Sequence, residues 1–211
     1  MKIVLDPLIK KNNMKIQFVD FDDSFSFNIV DLLKSYSLDV EVVHWSKFDP
    51  AHSQSLVVLG PGPGHPEDYP TLALLKKQNY SNQTQFLGIC LGHQILGMSL
   101  GLSLVKLPSP IHGRSLKIHL PDWKVFNLGV RNKMVNLQFY NSWALRDEKG
   151  IVPLKVEKND WVVAFQKNNY LGFQFHPESV GTSNRHSFFE QKWFSPYNIQ
   201  DERSFSPGRH I

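Results

Sequence analysis

Cysteine is nearly absent from this sequence: Cys90 is the only one among 211 residues. A disulfide within the chain and a cysteine-rich zinc site are both excluded, and the expected setting is a reducing cytoplasm. Long hydrophobic runs are also missing. The longest stretch of branched aliphatic residues is Leu56-Val57-Val58-Leu59, against the roughly 20 apolar residues that a membrane-spanning helix requires. The opening Met1-Lys2-Ile3-Val4-Leu5-Asp6-Pro7 breaks too early to form the apolar core of a secretory signal. Charge of one sign is nowhere concentrated. The chain has 23 basic and 19 acidic residues, for a formal net charge of +4, and Lys10-Lys11 and Lys76-Lys77 are its only basic doublets. No stripe suits a phosphate backbone, so neither a nucleic-acid nor a membrane partner is expected.

What is present suits an ordinary globular protein. Hydrophobic residues make up 41% and charged residues 20%, enough apolar material for one core in one domain. Residues 1–13 read as an N-terminal prefix, with Met14 an alternative start. Residues 14–194 read as the domain, and 195–211 as a polar peripheral tail. Apolar patterning predicts strands at Lys15–Asp20, Val40–Val43, Leu56–Leu59 and Phe86–Ile89. Helical spacing is seen at Phe25, Asn28, Ile29, Leu32 and Leu33, then over Leu72–Gln78 and from Leu91 to about Leu100. Asp23 and Ser24 are N-cap signals for the first of these helices. Further strands are expected near Ser115–Leu120, Val135–Phe139, Val162–Gln166 and Leu171–Phe175. Strands alternating with helices imply an α/β fold, a single domain with a largely parallel central sheet flanked by helices.

The lone cysteine stands in a particular context. Gly88-Ile89-Cys90-Leu91-Gly92 fits the pattern glycine-x-nucleophile-x-glycine between a strand and a helix, the setting of a nucleophile elbow. The sharp turn lifts the sulfur out at the carboxyl edge of the sheet, and the helix N-terminus beside it favours negative charge. A buried structural cysteine is the plainer alternative for the pentapeptide alone.

A thiolate nucleophile needs a base, and the base needs an orienting group. Of nine histidines, His176 is the best placed. It ends a predicted strand ahead of Pro177, and ligand crevices in such sheets lie at the carboxyl ends of strands. Glu178 follows at a distance from which it can hold the imidazole. His93, one helical turn beyond Cys90, points the wrong way and reads as a packing residue. His44, His52, His65, His119, His186 and His210 read as surface or packing residues. A tetrahedral oxyanion also requires donors. The amide of Leu91 is one candidate. Gly62, in the turn Pro61-Gly62-Pro63-Gly64, is the second.

These blocks resemble the class I, triad-type glutamine amidotransferases: Pro61-Gly62-Pro63-Gly64, then Gly88-Ile89-Cys90-Leu91-Gly92-His93-Gln94, then Gly172-Phe173-Gln174-Phe175-His176-Pro177-Glu178-Ser179. Within that class the chain is most similar to the glutaminase subunits of anthranilate synthase and aminodeoxychorismate synthase. Asp20-Phe21-Asp22-Asp23-Ser24-Phe25-Ser26-Phe27-Asn28 resembles their opening block, and His112-Gly113-Arg114 their H-G-K. The similarity spans about residues 14–180. It implies that Cys90 attacks the side-chain amide of L-glutamine, that His176 moves the proton, and that Glu178 orients His176. It further implies that Gly62, Pro63, Gly64, Gln94, Ser142 and Trp143 contact glutamine. Ammonia would pass to a chorismate-binding synthase subunit. No cofactor is implied for this chain; magnesium would reside in the partner.

Three departures from the family pattern stand out. Tyr140-Asn141-Ser142-Trp143 replaces the usual Y-H-S-L, so a bulky Trp143 borders the glutamine pocket. Phe21 and Asp22 replace the usual Asn and Tyr. The stretch after Ser179 also drifts. Two rival functions therefore stand beside the first, namely a docking subunit with impaired catalysis and a glutaminase serving another amidotransferase pathway. A third rival is an aspartate-nucleophile phosphatase in which Asp20 and Asp22 bind magnesium, with helix capping as the competing explanation of the same residues.

Overall fold

The computed structural model describes residues 15–36, 38–52, 55–77, 84–120, 133–183 and 185–189. The expected prefix 1–13 and tail 195–211, and the last residue of the predicted helix ending at Gln78, lie outside these. Among the described residues nine strands form one sheet: β1 (Lys15–Asp20), β2 (Asp39–His44), β3 (Leu56–Leu59), β4 (Gln85–Ile89), β5 (Ser103–Leu120), β6 (Lys133–Arg146), β7 (Leu154–Lys158), β8 (Trp161–Lys167) and β9 (Tyr170–Phe173). Three α-helices accompany them there, α1 (Ser26–Ser35), α2 (Pro70–Lys77) and α3 (Leu91–Ser99). The sheet order is β2-β1-β3-β4-β9-β8-β6-β5, with β7 paired to β8. From β2 to β9 every pairing is parallel; from β9 onward every pairing is antiparallel.

The alternation of side chains along a strand explains the layers. Ile16, Phe18, Leu56 and Val58 face one core with Ile29, Val30 and Leu33 of α1. Val19, Val57 and Leu59 face a second core with Leu72 and Leu75 of α2 and Leu91, Ile95 and Leu96 of α3. Both faces of β3 are covered, so all four of its residues are buried, as expected for a central parallel strand. The strand order reverses between β1 and β3, because β1 connects outward to β2 while β3 connects the other way to β4. The carboxyl ends at that switch point form the natural crevice.

Several expectations are revised. Phe25, not Asp23 or Ser24, occupies the N-cap position of α1, and no side chain caps the helix; Asp23 Oδ1 accepts the Phe25 N–H at 2.8 Å in the turn before it. The antiparallel half is more extensive than the sequence suggested: β5 begins at Ser103 rather than near Ser115, and β6 runs on to Arg146 rather than ending near Phe139. Pro108 and Pro110 interrupt the apolar alternation of β5. They fall where the pairing skips from Lys106↔Trp143 to Ile111↔Asn141, a bulge that accommodates residues without an N–H. β7, not anticipated, joins β8 through Asn159 and Asp160, both at positive φ (51° and 64°), the signature of a tight two-residue hairpin turn.

Candidate active site

β4 ends at Ile89 and α3 begins at Leu91, so Cys90 alone makes the turn, with φ 53° and ψ −102°. A non-glycine residue held there stores roughly 1–3 kcal/mol of backbone strain. The surroundings impose it. Cys90 N–H donates to Phe173 O at 2.8 Å, and Gly92 N–H donates to Gly60 O at 3.1 Å. A Cβ on Gly92 would overlap the Leu59 carbonyl, and one on Gly88 would overlap the Gly92 carbonyl. Only glycine at both positions lets the helix start so close to the sheet. Leu91 opens α3, where the first amides have no acceptor within the helix.

The adjacent strand, which ends at Phe173 rather than at the expected Phe175, leads to the residue expected to act as base. β4 and β9 run in parallel register, Gly88↔Gly172 and Ile89↔Phe173, so the next residues, Cys90 and Gln174, lie alongside each other. His176 comes two residues later. Its Nδ1 lies 2.7 Å from Glu178 Oε1, and both residues are buried. A carboxylate only accepts, so Nδ1 carries a proton toward Glu178 and Nε2 is the nitrogen not engaged by that carboxylate. That Nε2 is buried with no hydrogen-bond partner among the described residues. Burial by itself would depress the imidazolium. Interaction with Cys90, and then with Glu178, outweighs it and pushes His176 up to about 10. The ring also stands edge-on to Phe25 at 5.6 Å and Tyr140 at 4.9 Å. His176 N–H donates to Gln138 O at 2.9 Å, and Thr182 Oγ1 donates to His176 O at 2.7 Å. Backbone, carboxylate and two aromatic rings thus set the imidazole in one orientation.

His93 takes the packing role expected of it. It is fully buried, and burial depresses it to about 3 against the opposing pull of the Val162 and Gly172 backbones. The neutral ring donates from Nε2 to Val162 O at 3.1 Å and packs on Phe165.

The glycine turn and the β6 residues come together beside the elbow. A Cβ on Gly62 would lie 2.5 Å from a Leu91 methyl, so the two expected oxyanion donors belong to neighbouring residues. Gly64 has φ +76°, a conformation glycine tolerates without the usual cost. The chain leaving it is held by Asp68 Oδ2, which accepts the His65 N–H at 2.7 Å. Tyr69 Oη donates to Pro63 O at 2.8 Å. His65 packs edge-on against the Trp143 indole at 4.9 Å, which places the turn next to the Ser142-Trp143 pair. Ser142 Oγ lies 3.3 Å from His112 Nε2. Gln94 is buried, and its Nε2 donates to Trp143 O at 2.9 Å and to Gln174 Oε1 at 3.1 Å.

Gln174, Phe25 and Tyr140 were missed as site residues. All three lie inside the motif blocks named above, yet nothing in a single sequence shows which side chains of a block touch the imidazole or the sulfur. The paired aspartates of the opening block serve the local fold. Asp20 Oδ1 accepts Ser26 Oγ at 2.6 Å and the Asp22 N–H at 3.1 Å. Asp22 accepts from Trp45 Nε1 and His44 Nε2, which hold its carboxyl below the usual range. No cluster of three or more His, Cys, Asp or Glu suited to a metal occurs among the described residues. No helix among them is long and apolar enough to cross a membrane.

Comparison with known proteins agrees with this geometry. Residues 17–195 match the family described as glutamine amidotransferase class-I. Anthranilate synthase component 2 of Cyanidium caldarium is 30% identical over 180 residues, covering 79% of this chain and 91% of that protein. A Schizosaccharomyces pombe protein provisionally named an aminodeoxychorismate synthase is 30% identical over 209 residues, covering 92% of this chain but 28% of the longer protein. Among solved structures, a glutamine amidotransferase of Thermotoga maritima superimposes with a TM-score of 0.65 at 20% identity, covering 79% of this chain and 77% of that one, which bears on the fold alone. The elbow cysteine, the parallel sheet beneath it and the match across residues 17–195 lead to one assignment: the chain belongs to the class I glutamine amidotransferase family.

Proposed function

We propose that the chain is a glutaminase subunit that hydrolyses L-glutamine and delivers ammonia to a chorismate-aminating synthase. The observation that carries the reading is the buried His176–Glu178 pair, whose Nε2 has no hydrogen-bond partner among the described residues, just beyond the end of the strand that pairs with β4 below the Cys90 elbow. In this mechanism the Cys90 thiolate adds to the side-chain amide carbon of glutamine. The oxyanion is held by the Leu91 and Gly62 amides. As the tetrahedral intermediate collapses, His176 Nε2–H protonates the departing nitrogen, the C–N bond breaks, and ammonia leaves behind a γ-glutamyl thioester. Water then attacks the thioester carbon while His176 takes its proton. The C–S bond breaks, glutamate forms and the thiolate returns. Glu178 holds the imidazole in the productive tautomer throughout.

Glutamine lies in this proposal between Gly62, Pro63 and Gly64 on one side and Gln94, Ser142 and Trp143 on the other. Every step uses groups of this chain and no cofactor; the magnesium of the chorismate site belongs to the partner. The names of the relatives support an acceptor in anthranilate or aminodeoxychorismate synthesis, and the proposed setting is the cytoplasm. A docking subunit with impaired catalysis is the second reading. It is favoured by Trp143, whose indole packs on His65 and lies 6.0 Å from Lys106 Nζ, beside the glycine turn.

The covalent intermediate separates the two readings. Acid quench of the complex with a chorismate-using synthase turning over radiolabelled glutamine is expected to leave label on the wild-type chain. Hydroxylamine should release that label, and Cys90→Ala should carry none. A complex that assembles but yields neither label nor ammonia would leave only the docking role.

A further inference from the structure

We infer that Gln174 is a hydrogen-bond donor to the nucleophile, holding the Cys90 sulfur in its charged form. This rests on the glutaminase reading above and adds a residue to its machinery. Gln174 is fully buried, and its Nε2 lies 3.8 Å from Cys90 Sγ.

An amide side chain can present either its oxygen or its NH₂, and the choice here follows from a chain of hydrogen bonds. The Trp143 carbonyl oxygen can only accept. It therefore fixes the NH₂ end of Gln94 toward itself at 2.9 Å. The other Gln94 N–H then points at Gln174 at 3.1 Å and must meet an acceptor, so Gln174 turns its oxygen there. The NH₂ end of Gln174 is left facing the sulfur. Asn141 Nδ2 donates to the same Trp143 carbonyl at 2.9 Å and anchors that end of the chain. The parallel register of β4 and β9, which sets residue 174 alongside residue 90, supplies the backbone half of the arrangement. A donor to a charged acceptor in a dry site contributes more than a neutral hydrogen bond does. Gln174 thus favours thiolate over thiol before substrate arrives, and Gln94 positions it.

The test measures the rate of Cys90 alkylation by iodoacetamide against pH, which needs no glutamine turnover. In Gln174→Met, of similar length but without a donor, the alkylation profile is expected to move to higher pH by about one unit, with a loss of about tenfold or more in kcat and little change in KM. In Gln174→Glu, Gln94 still donates to one oxygen while the other faces the sulfur, so the move is expected to be larger. In the wild type, the Gln174 side-chain amide resonance should shift with pH along the same curve that alkylation follows, a readout that depends on no variant folding. Alkylation profiles of Gln174→Met and Gln174→Glu that coincide with wild type, or a Gln174 resonance blind to that titration, would overturn the inference while leaving the glutaminase reading intact. Retention of glutamine hydrolysis by Cys90→Ser would instead sink the reading beneath it.

Discussion

Cys90→Ser is expected to lose glutamine hydrolysis by about four orders of magnitude or more, the scale seen when a nucleophile is removed from a triad. A serine hydroxyl at the same φ of 53° occupies nearly the same space, so folding should be unaffected. What disappears is the easily ionised sulfur. Synthesis driven by added ammonium through the assembled complex should persist, because ammonia bypasses the step that needs Cys90. The substitution should also change the imidazole. Burial works to lower the His176 pKa, and interaction with Cys90 is the largest influence raising it, to about 10. With the sulfur gone, Glu178 alone works against burial. The His176 proton should therefore be lost at lower pH, while in the wild type it is retained to about pH 10. The His176 ring-proton resonances followed by NMR against pH would show this. The sign matters for the rate profile too: in the proposed mechanism the protonated imidazole is the acid that expels ammonia, so wild-type hydrolysis should decline on the alkaline side as His176 deprotonates. A Cys90→Ser complex with full glutamine-dependent activity, or an unchanged His176 titration, would contradict the assignment.

The second large effect is structural. Gly92→Ala places a methyl group on the Leu59 carbonyl, and the collision is with backbone on both sides: α3 opens at residue 91 and β3 is buried on both faces. Overpacking of this kind costs about 3 kcal/mol or more, a fall in Tm of about 6–12 °C for a domain of this size. Activity should fall along with it, because Gly92 N–H to Gly60 O is one of the bonds that holds the elbow. Gly150→Ala is the control. Gly150 has positive φ, 63°, and a Cβ there meets nothing within 4 Å, so only the backbone penalty of about 1–2 kcal/mol applies. Equal melting temperatures for Gly92→Ala and Gly150→Ala would show that the elbow yields more easily than its packing implies.

The centre of the parallel half was legible because β3 and β4 are short, buried on both faces and punctuated by glycine and proline. Leu56–Leu59 followed by Gly60-Pro61-Gly62 is the clearest example. The same features made the Cys90 elbow visible, since such a turn needs small residues on both sides of it. The antiparallel half was less legible for a physical reason. Where β5 carries Pro108 and Pro110 the alternation breaks, and the bulge that absorbs them is a property of pairing with β6 rather than of either segment alone. β7 has one buried residue, Val156, so its apolar signal is weak. The hydrogen-bond chain from Trp143 to Cys90 was beyond single-sequence reading. It joins residues separated by 49, 80 and 84 positions, and only the folded sheet brings them together.

The position of β9 has a consequence for synthesis on the ribosome. It is the last strand of the chain among the described residues, yet it is inserted between β4 and β8 in the interior of the sheet. Nucleation by local contacts cannot complete such a sheet, because the closing pair joins strands far apart in the chain and must overcome its loop entropy first. Cys90 is made early, but the imidazole and carboxylate that would arm it arrive only with this final insertion. A nascent or truncated chain therefore holds an unarmed thiol, and the proposed release of ammonia from glutamine would be gained only when the polypeptide has finished folding.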